Sequence, residues 1–190
     1  MEIDMRKNFG VKAWLYPMPV LILGTYDENG NPNAMNAAWG GISEENEISV
    51  CISEDHKTTY NLEKTAAFTV SVATAETAVA ADFVGIVSGT EDEKKMEKCG
   101  WTAEKSAFVD APLFAELPFA LECRVKSYDK ETCRLVGEIV NVAADESILD
   151  EKGRVDVKKL DPICYDPVAH TYLRMGNAVG KAFSDGKKLI

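Results

Sequence analysis

Short apolar runs closed by turn-forming residues are the feature that most constrains the fold of this chain. The first run, residues 20–26 (VLILGTY), ends at the turn sequence DENGNP, residues 27–32. Residues 33–39 (NAMNAAW) follow at hairpin distance, and residues 47–53 (EISVCIS) alternate between apolar and polar side chains. Such runs predict strands that pair as hairpins. The two glycines at 40 and 41 are expected to break the second run.

Further strands are predicted at residues 68–72, 121–128, 133–143 and 171–175. Short helices are predicted at residues 56–64, 75–83, 91–98 and 156–160, the third of them ending at Gly100. Hairpins with short inserted helices favour an antiparallel barrel or sandwich over a parallel sheet of βαβ units. Because no linker or internal repeat divides the sequence, we expect one domain over residues 1–190.

Composition excludes several classes of protein. The chain has 190 residues, of which 46% are hydrophobic and 27% charged, as in ordinary globular proteins. Its formal net charge of −10 disfavours nucleic acid and anionic membrane surfaces as partners. No apolar window is long enough to span a membrane, and residues 1–12 lack the apolar region of a signal peptide. We therefore expect a cytoplasmic protein.

Common catalytic and metal-binding motifs are missing from the sequence. There is no G-x-G-x-x-G after a strand, no Walker loop, no H-E-x-x-H and no G-x-S-x-G. The five cysteines are odd in number and show no C-x-x-C spacing, which is typical of reduced thiols. The sequence has only two histidines, which is too few for a His-rich metal centre, and its carboxylates are scattered over polar stretches. Hydrolysis is not indicated.

The first segment with chemical character is NAMNAAWGG, residues 33–41. Its small side chains let a flat ligand lie against the backbone, whose N–H and C=O groups can bond the ligand's edge. Trp39 can then cover an apolar part of that ligand. The alternative is that Trp39 belongs to the core and that the glycines form a simple turn.

The second segment, SEDHKTTYN at residues 53–61, groups polar side chains at the start of a predicted helix. Backbone N–H groups at a helix N-terminus, hydroxyl groups and cations together suit a phosphate. The side chains concerned are Ser53, His56, Lys57, Thr58 and Thr59. The alternative is an ordinary helix cap with surface Lys and His residues.

The third segment is GIVSGTEDEKK, residues 85–95. Ser88 and Gly89 offer a tight turn with a hydroxyl group, and Lys94 and Lys95 open a helix that is otherwise acidic. The alternative is a solvated helix start without a ligand.

In this order the three segments resemble the flavin reductase-like family, which includes flavoredoxins and has the FMN-binding split-barrel fold. The resemblance covers residues 16–41, 53–58, 83–89, 110–123, 133–140 and 172–189. It implies a mainly β fold, a six-stranded antiparallel split barrel with inserted helices, and FMN as the cofactor. It also implies a homodimer whose interface helps to close the flavin site.

The resemblance implies three groups of cofactor-binding residues and no catalytic or metal-binding side chain. Asn36, Ala37, Ala38 and Trp39 would lie along the isoalloxazine ring, and Cys51, Ile52 and Ser53 would border it from the next strand. Ser53, His56, Lys57, Thr58, Ser88, Gly89 and a lysine would hold the ribityl chain and phosphate. Lys95 matches the family pattern better than Lys94, which stays an alternative because Lys94-Lys95-Met96 stands where relatives often have Asp-Lys-Phe.

The missing catalytic motifs fit a flavoprotein, because a flavin carries the redox chemistry itself. We expect an FMN-dependent oxidoreductase of the flavin reductase type that takes electrons from NAD(P)H or a protein donor and passes them to flavin or another acceptor. One alternative is an electron carrier like flavoredoxin, and another is a split-barrel protein that binds a ligand without redox function. Cys51 has no nearby resolving cysteine, so we expect a packed thiol rather than a redox-active one.

Overall fold

One curled antiparallel sheet of seven strands forms the body of the fold. The structure is a computed structural model, and it describes residues 6–190. In chain order the strands are β1 (Met18–Pro19), β2 (Leu21–Tyr26), β3 (Pro32–Ala37), β4 (Gly40–Glu44), β5 (Glu47–Cys51), β6 (Ala67–Val72), β7 (Ala103–Lys105), β8 (Pro112–Phe114), β9 (Phe119–Asp129), β10 (Arg134–Ala144), β11 (Ile163–Asp166) and β12 (Thr171–Arg174). The order across the large sheet is β3-β2-β6-β9-β10-β5-β4.

Two small sheets, four α-helices and two short 3₁₀ helices (Glu146–Ile148 and Asp185–Leu189) complete the described chain. Strands β1, β11 and β12 form a three-stranded sheet, and β7 pairs with β8. The helices are α1 (Lys57–Thr65), α2 (Ala78–Ile86), α3 (Lys95–Cys99) and α4 (Val157–Leu160). Helix α1 packs against β2 and β3, and α2 packs against β3. None of the helices among residues 6–190 combines the length and apolar character needed to cross a membrane.

Strand β2 is buried on both faces of the sheet. Leu21 and Leu23 point into one apolar cluster with Phe68, whereas Val20 and Ile22 belong to a second cluster. The second cluster fills the space between the sheet and α2 and contains Ala81, Val84, Trp101 and Phe114. Burying a side chain of this kind stabilises the fold by roughly 1.5–3 kcal/mol. The second cluster therefore fixes α2 against β3, which contributes Ala34 to it.

The mainly β fold with inserted helices is confirmed, but the large sheet has seven strands where the sequence predicted six. The additional strand is β4, which begins at the two glycines that were expected to end a strand. A Cβ on Gly40 would come within 3.0 Å of Leu21 Cδ1 and of the Ser49 carbonyl oxygen. The glycine therefore allows β4 to approach its neighbours closely, and tertiary pairing with β5 overrides the weak strand propensity of glycine.

Two predicted helices begin later than expected. Helix α2 starts at Ala78 because Thr74 and Thr77 hydrogen-bond each other's backbone and side chains in the preceding turn. Helix α3 starts at Lys95, since Asp92 accepts a hydrogen bond from the Lys94 backbone N–H in a separate turn. The predicted end at Gly100 is confirmed by its φ of +75°.

Both ends of the described chain lie outside the sheets and expose apolar side chains. Phe9, Val11 and Leu15 are exposed near the N-terminus. Val179, Phe183, Leu189 and Ile190 are almost fully exposed near the C-terminus. The expectation that residues 1–12 lack a signal peptide involves residues 1–5, which lie outside the described part of the chain.

Candidate cofactor site

A cavity of about 160 Å³ lies between β3, the start of α1 and the segment after α2. We call it the central cavity. Seven of the residues that the sequence singled out line it: Asn36, His56, Lys57, Thr58, Ser88, Gly89 and Lys95. Three distant segments of the sequence therefore meet at one place in the fold, as a shared ligand requires.

The start of α1 forms one wall of the central cavity. His56 occupies the cap position with extended backbone angles, and the helix begins at Lys57. The Asn33 side-chain amide donates a hydrogen bond of 3.1 Å to the Thr58 hydroxyl, which ties the helix start to β3. The Thr59 hydroxyl donates to the Ser53 carbonyl oxygen at 2.7 Å. In this first turn the Thr59 and Tyr60 N–H groups donate to the His56 carbonyl oxygen. The N–H groups of Lys57 and Thr58 have no partner within the helix, and they are suited to an anion.

Lys95 points inward from α3 and is buried, with 4% of its surface exposed. Its ammonium group donates a hydrogen bond of 2.9 Å to the carbonyl oxygen of Val84. Among residues 6–190 no carboxylate forms an ion pair with Lys95, and burial lowers its pKa from 10.5 to about 8. Lys94, the alternative cation, is exposed and lines no part of the central cavity. A buried cation without a counter-ion favours an anionic ligand.

Gly89 and Gly85 allow the segment around the end of α2 to lie against β3. A Cβ on Gly89 would come within 2.6 Å of Asn33 Oδ1 and 3.2 Å of Lys57 Cγ. A Cβ on Gly85 would lie 3.0 Å from the Cβ of Asn36. Only residues without a side chain keep these walls in place, so the central cavity depends on both glycines.

Asn36 stands at the junction of the central cavity and a second cavity of about 400 Å³. Its side-chain amide donates a hydrogen bond of 3.0 Å to the Ala81 carbonyl oxygen. Ala38 lines the second cavity together with Tyr165, His170 and Tyr172. We call this the aromatic cavity. It extends the central cavity at the end away from Lys57 and Lys95.

The aromatic cavity is held by hydrogen bonds between its polar groups. The Tyr172 hydroxyl donates to Asp82 Oδ1 at 2.8 Å, and the Tyr165 hydroxyl lies 2.8 Å from His170 Nδ1. Burial, followed by the hydrogen bond with Asp82, raises the pKa of Tyr172 to about 12. Tyr165 comes from β11, His170 from the turn after it, Tyr172 from β12, and Asp82 from α2. Beyond the strand predicted at residues 171–175 and the resemblance of residues 172–189, no local pattern indicated these residues.

The remaining predicted residues lie outside the central cavity. Ala37 and Ile52 turn their side chains into the core, so that only their backbone groups can face a ligand. Ser53 is exposed beside the start of α1. The expectation of a packed Cys51 thiol is wrong, because Cys51 is exposed at the end of β5. The alternative that Trp39 is a core residue is also wrong, since 60% of it is exposed.

The site fits a planar ligand that carries a phosphate. Two cations, Lys57 and Lys95, lie at one end with hydroxyl groups and the start of α1, and Glu91 is the carboxylate in the lining of the central cavity. The aromatic cavity offers space beside small residues of β3 at the other end. A flavin mononucleotide has this asymmetry, with a charged phosphate and a three-ring system.

A comparison with known families matches residues 13–166 to the flavin reductase like domain, which is more than half of the chain. The chain belongs to this family. The resemblance that the sequence showed is thereby confirmed. The split-barrel class of the fold is confirmed as well, although the large sheet has one strand more than predicted.

Solved structures of two flavoredoxins are similar to this family member over nearly their whole lengths. Flavoredoxin of Desulfovibrio vulgaris (Miyazaki F) is 36% identical, with a TM-score of 0.91 over 96% of this chain and 100% of that chain. Flavoredoxin from Methanosarcina acetivorans is 26% identical, with a TM-score of 0.88 over 98% of this chain and 100% of that one.

A curated protein of Aquifex aeolicus (strain VF5), described as uncharacterized, is 33% identical over 85 residues. These residues are 41% of this chain and 42% of the Aquifex protein, so the match spans less than half of that relative. It adds no functional information. Membership in the flavin reductase-like family supports a flavin-related redox function.

Proposed function

We propose that this protein binds FMN and moves electrons through it, from NAD(P)H or a redox protein to flavin or another acceptor. The observation that carries the proposal is the central cavity, in which the buried Lys95 faces the start of α1. The family membership agrees with a flavin as the ligand. Bound FMN supplies the hydride and electron chemistry, and the chain's own residues bind and orient it.

The phosphate end of the ligand is assigned to Lys57, Lys95, Thr58 and Ser88. Charge-assisted hydrogen bonds to a phosphate contribute roughly 1.5 to 3 kcal/mol each. Riboflavin lacks the phosphate, so we expect it to bind at least about tenfold more weakly than FMN. Equal affinity of the two flavins would mean that the central cavity does not hold the phosphate.

The ring end is assigned to β3 and the aromatic cavity. Asn36 and Ala38 border that cavity, and their small or amide side chains leave room beside the backbone. The phenol of Tyr172 keeps its proton over the whole physiological range because its pKa is raised to about 12. Its hydroxyl is therefore available as a hydrogen-bond donor, which in the ligand-free protein is directed to Asp82.

The second candidate is an electron carrier without substrate turnover of its own. It is favoured by the identity of 36% with flavoredoxin of Desulfovibrio vulgaris (Miyazaki F), which extends over 96% of this chain. A carrier and a reductase share the same FMN site and differ in the donor that reduces it.

The decisive experiment is anaerobic reduction of the purified protein with each donor in turn. The visible spectrum and extraction first identify the bound flavin. NADH, NADPH and a reduced iron–sulfur protein are then added separately, and bleaching of the flavin band is followed. Fast bleaching by a nicotinamide supports the reductase, and bleaching by the protein donor alone supports the carrier. If no donor bleaches the flavin, both redox functions are wrong and a non-redox ligand-binding role takes their place.

A homodimer is part of the proposal. The terminal segments expose Phe9, Leu15, Val179 and Phe183, and such side chains are usually covered in a stable protein. An obligate interface should bury on the order of 2,000 Å² or more. Sedimentation should give a species of twice the chain mass of 20.8 kDa. A 20.8 kDa species with full FMN affinity would remove the dimer from the proposal.

A further inference from the structure

A third cavity, of about 760 Å³, continues the central cavity at its cationic end. The two cavities share Asn33, Lys57, Gly89 and Lys95. We call the third one the outer cavity. Since the aromatic cavity begins at Asn36, the three cavities form a series, with the central cavity in the middle. Any group attached beyond a phosphate held by Lys57 and Lys95 would enter the outer cavity.

The outer cavity is acidic beyond the two shared lysines. Asp27, Asp92 and Glu93 line it. Asp27 lies 3.7 Å from the Lys57 ammonium, and Asp92 pairs with Lys98. The hydrogen bond from Lys98 lowers the pKa of Asp92, and the same ion pair partly compensates the charge of this carboxylate. Glu93 has no ion pair among residues 6–190, and its charge is the least compensated of the three.

We propose that the carboxylates of the outer cavity select FMN against FAD. This inference rests on the proposed function, because it takes the phosphate of the flavin to lie in the central cavity. FAD differs from FMN by an adenylate joined to that phosphate, so its second phosphate must enter the outer cavity. There it comes close to Glu93, whose charge no ion pair compensates among residues 6–190, and to the ion-paired Asp27 and Asp92. It is repelled there, mainly by Glu93, whereas FMN ends before this point. The specificity is therefore built from repulsion of the larger flavin as well as attraction of the smaller one.

Glu93 is the residue to change, since Asp27 and Asp92 also hydrogen-bond backbone N–H groups of their own turns. Dissociation constants of FMN and FAD are measured by titration at constant ionic strength for the unchanged protein, Glu93→Gln and Glu93→Lys. Glu97→Gln is the matched control, because Glu97 is exposed on α3, lines none of these cavities and carries the same charge. Binding is the readout, so the test does not depend on activity.

We expect FMN to bind at least about tenfold more tightly than FAD. The ratio of the two constants should fall by roughly threefold in Glu93→Gln and roughly tenfold in Glu93→Lys. Glu97→Gln should leave the ratio unchanged. In the unchanged protein, added salt should also bring the ratio of the FAD and FMN dissociation constants closer to one, because the outer cavity is open to solvent and its charges are screened.

The possible outcomes separate this inference from the proposed function. If FMN fails to bind at all, the proposed function is wrong. If FMN and FAD bind equally well, selection by the outer cavity is wrong, but the proposal that the protein binds FMN is retained. The same conclusion follows if Glu93→Lys changes the dissociation constants of FMN and FAD by the same factor.

Discussion

The ammonium nitrogen of Lys95 lies 2.9 Å from the carbonyl oxygen of Val84, and only 4% of this lysine is exposed. One neutral acceptor does not balance a buried positive charge, which is why the pKa of Lys95 is lowered to about 8. In the absence of a ligand the protein therefore carries a residue that destabilises it. A bound phosphate removes this penalty, so that stability and ligand affinity are linked at one side chain.

The first prediction concerns Lys95→Met. Methionine has a similar length and no charge, so the ligand-free protein should gain about 1 to 3 kcal/mol in its free energy of unfolding at pH 7. FMN affinity should fall at least about tenfold, because a charge-assisted bond to the phosphate is lost. Urea unfolding without flavin and FMN titration measure the two effects. Lys94→Met is the control and should change neither, and a destabilised Lys95→Met protein would contradict the argument.

The second prediction concerns pH. Below about pH 8 Lys95 is protonated in the free protein, and a bound phosphate dianion raises its pKa again. FMN binding above pH 8 therefore takes up a proton, and the affinity should fall by up to about tenfold per pH unit from there. Riboflavin, which has no phosphate, should show a much flatter profile. A flat FMN profile between pH 7 and about 9.5 would exclude Lys95 as the phosphate cation.

Lys95 also determines how the stability of the ligand-free protein changes with pH. The pKa of Lys95 is about 8 in the folded chain, and in the unfolded chain it takes its ordinary value of 10.5. Between pH 8 and pH 10.5 the unfolded chain therefore binds more protons than the folded chain. The contribution of Lys95 to the free energy of unfolding should accordingly rise with pH from 8 to 10.5. The difference between the unchanged protein and Lys95→Met, measured by urea unfolding, should shrink over this interval.

The third prediction concerns Gly89→Ala. The new methyl group would lie 2.6 Å from Asn33 Oδ1, and Asn33 holds Thr58 at the start of α1. The clash should shift both walls of the central cavity, with a loss of about 1 to 3 kcal/mol in stability and at least about tenfold in FMN affinity. Gly41→Ala is the matched control, because a Cβ there meets no atom within 4 Å. Unchanged FMN binding by Gly89→Ala would show that the ligand does not use this wall.

Local sequence patterns were sufficient for the hairpins. The β2–β3 hairpin follows from an apolar run, a turn sequence and a second run, and Gly30 adopts the positive φ of +80° that such a turn favours. The long β9–β10 pair follows in the same way. In both cases the residues that decide the structure are neighbours in sequence.

Features that depend on tertiary contacts were missed or left open. The choice between Lys94 and Lys95 needs the rotation of α3, since one residue step turns a helix by about 100°. The aromatic cavity needs Tyr165 and Tyr172 to meet Asn36, more than 100 positions away in the chain. Strand β4 needs the close approach of Leu21 to Gly40. No local pattern encodes these contacts.

The last prediction concerns Trp39→Ala. Trp39 is 60% exposed, and its carbonyl oxygen accepts a hydrogen bond of 2.7 Å from the Cys51 backbone N–H, which the substitution retains. The free energy of unfolding should therefore change by less than about 1 kcal/mol. Trp101→Ala is the contrasting control, because Trp101 is buried against Phe114 and its loss should cost roughly 3 to 5 kcal/mol.

FMN affinity separates the possible roles of this exposed ring. If Trp39 packs on the isoalloxazine, Trp39→Ala should weaken FMN binding at least about tenfold, and Trp39→Phe should restore much of it because an aromatic wall remains. Titration of each variant with FMN, followed by sedimentation at the same concentration, measures both binding and assembly. Unchanged FMN binding together with a loss of the dimer would instead assign Trp39 to the interface between subunits. Because Trp39 contributes little to the core, either result reports on what covers the ring and not on the integrity of the fold.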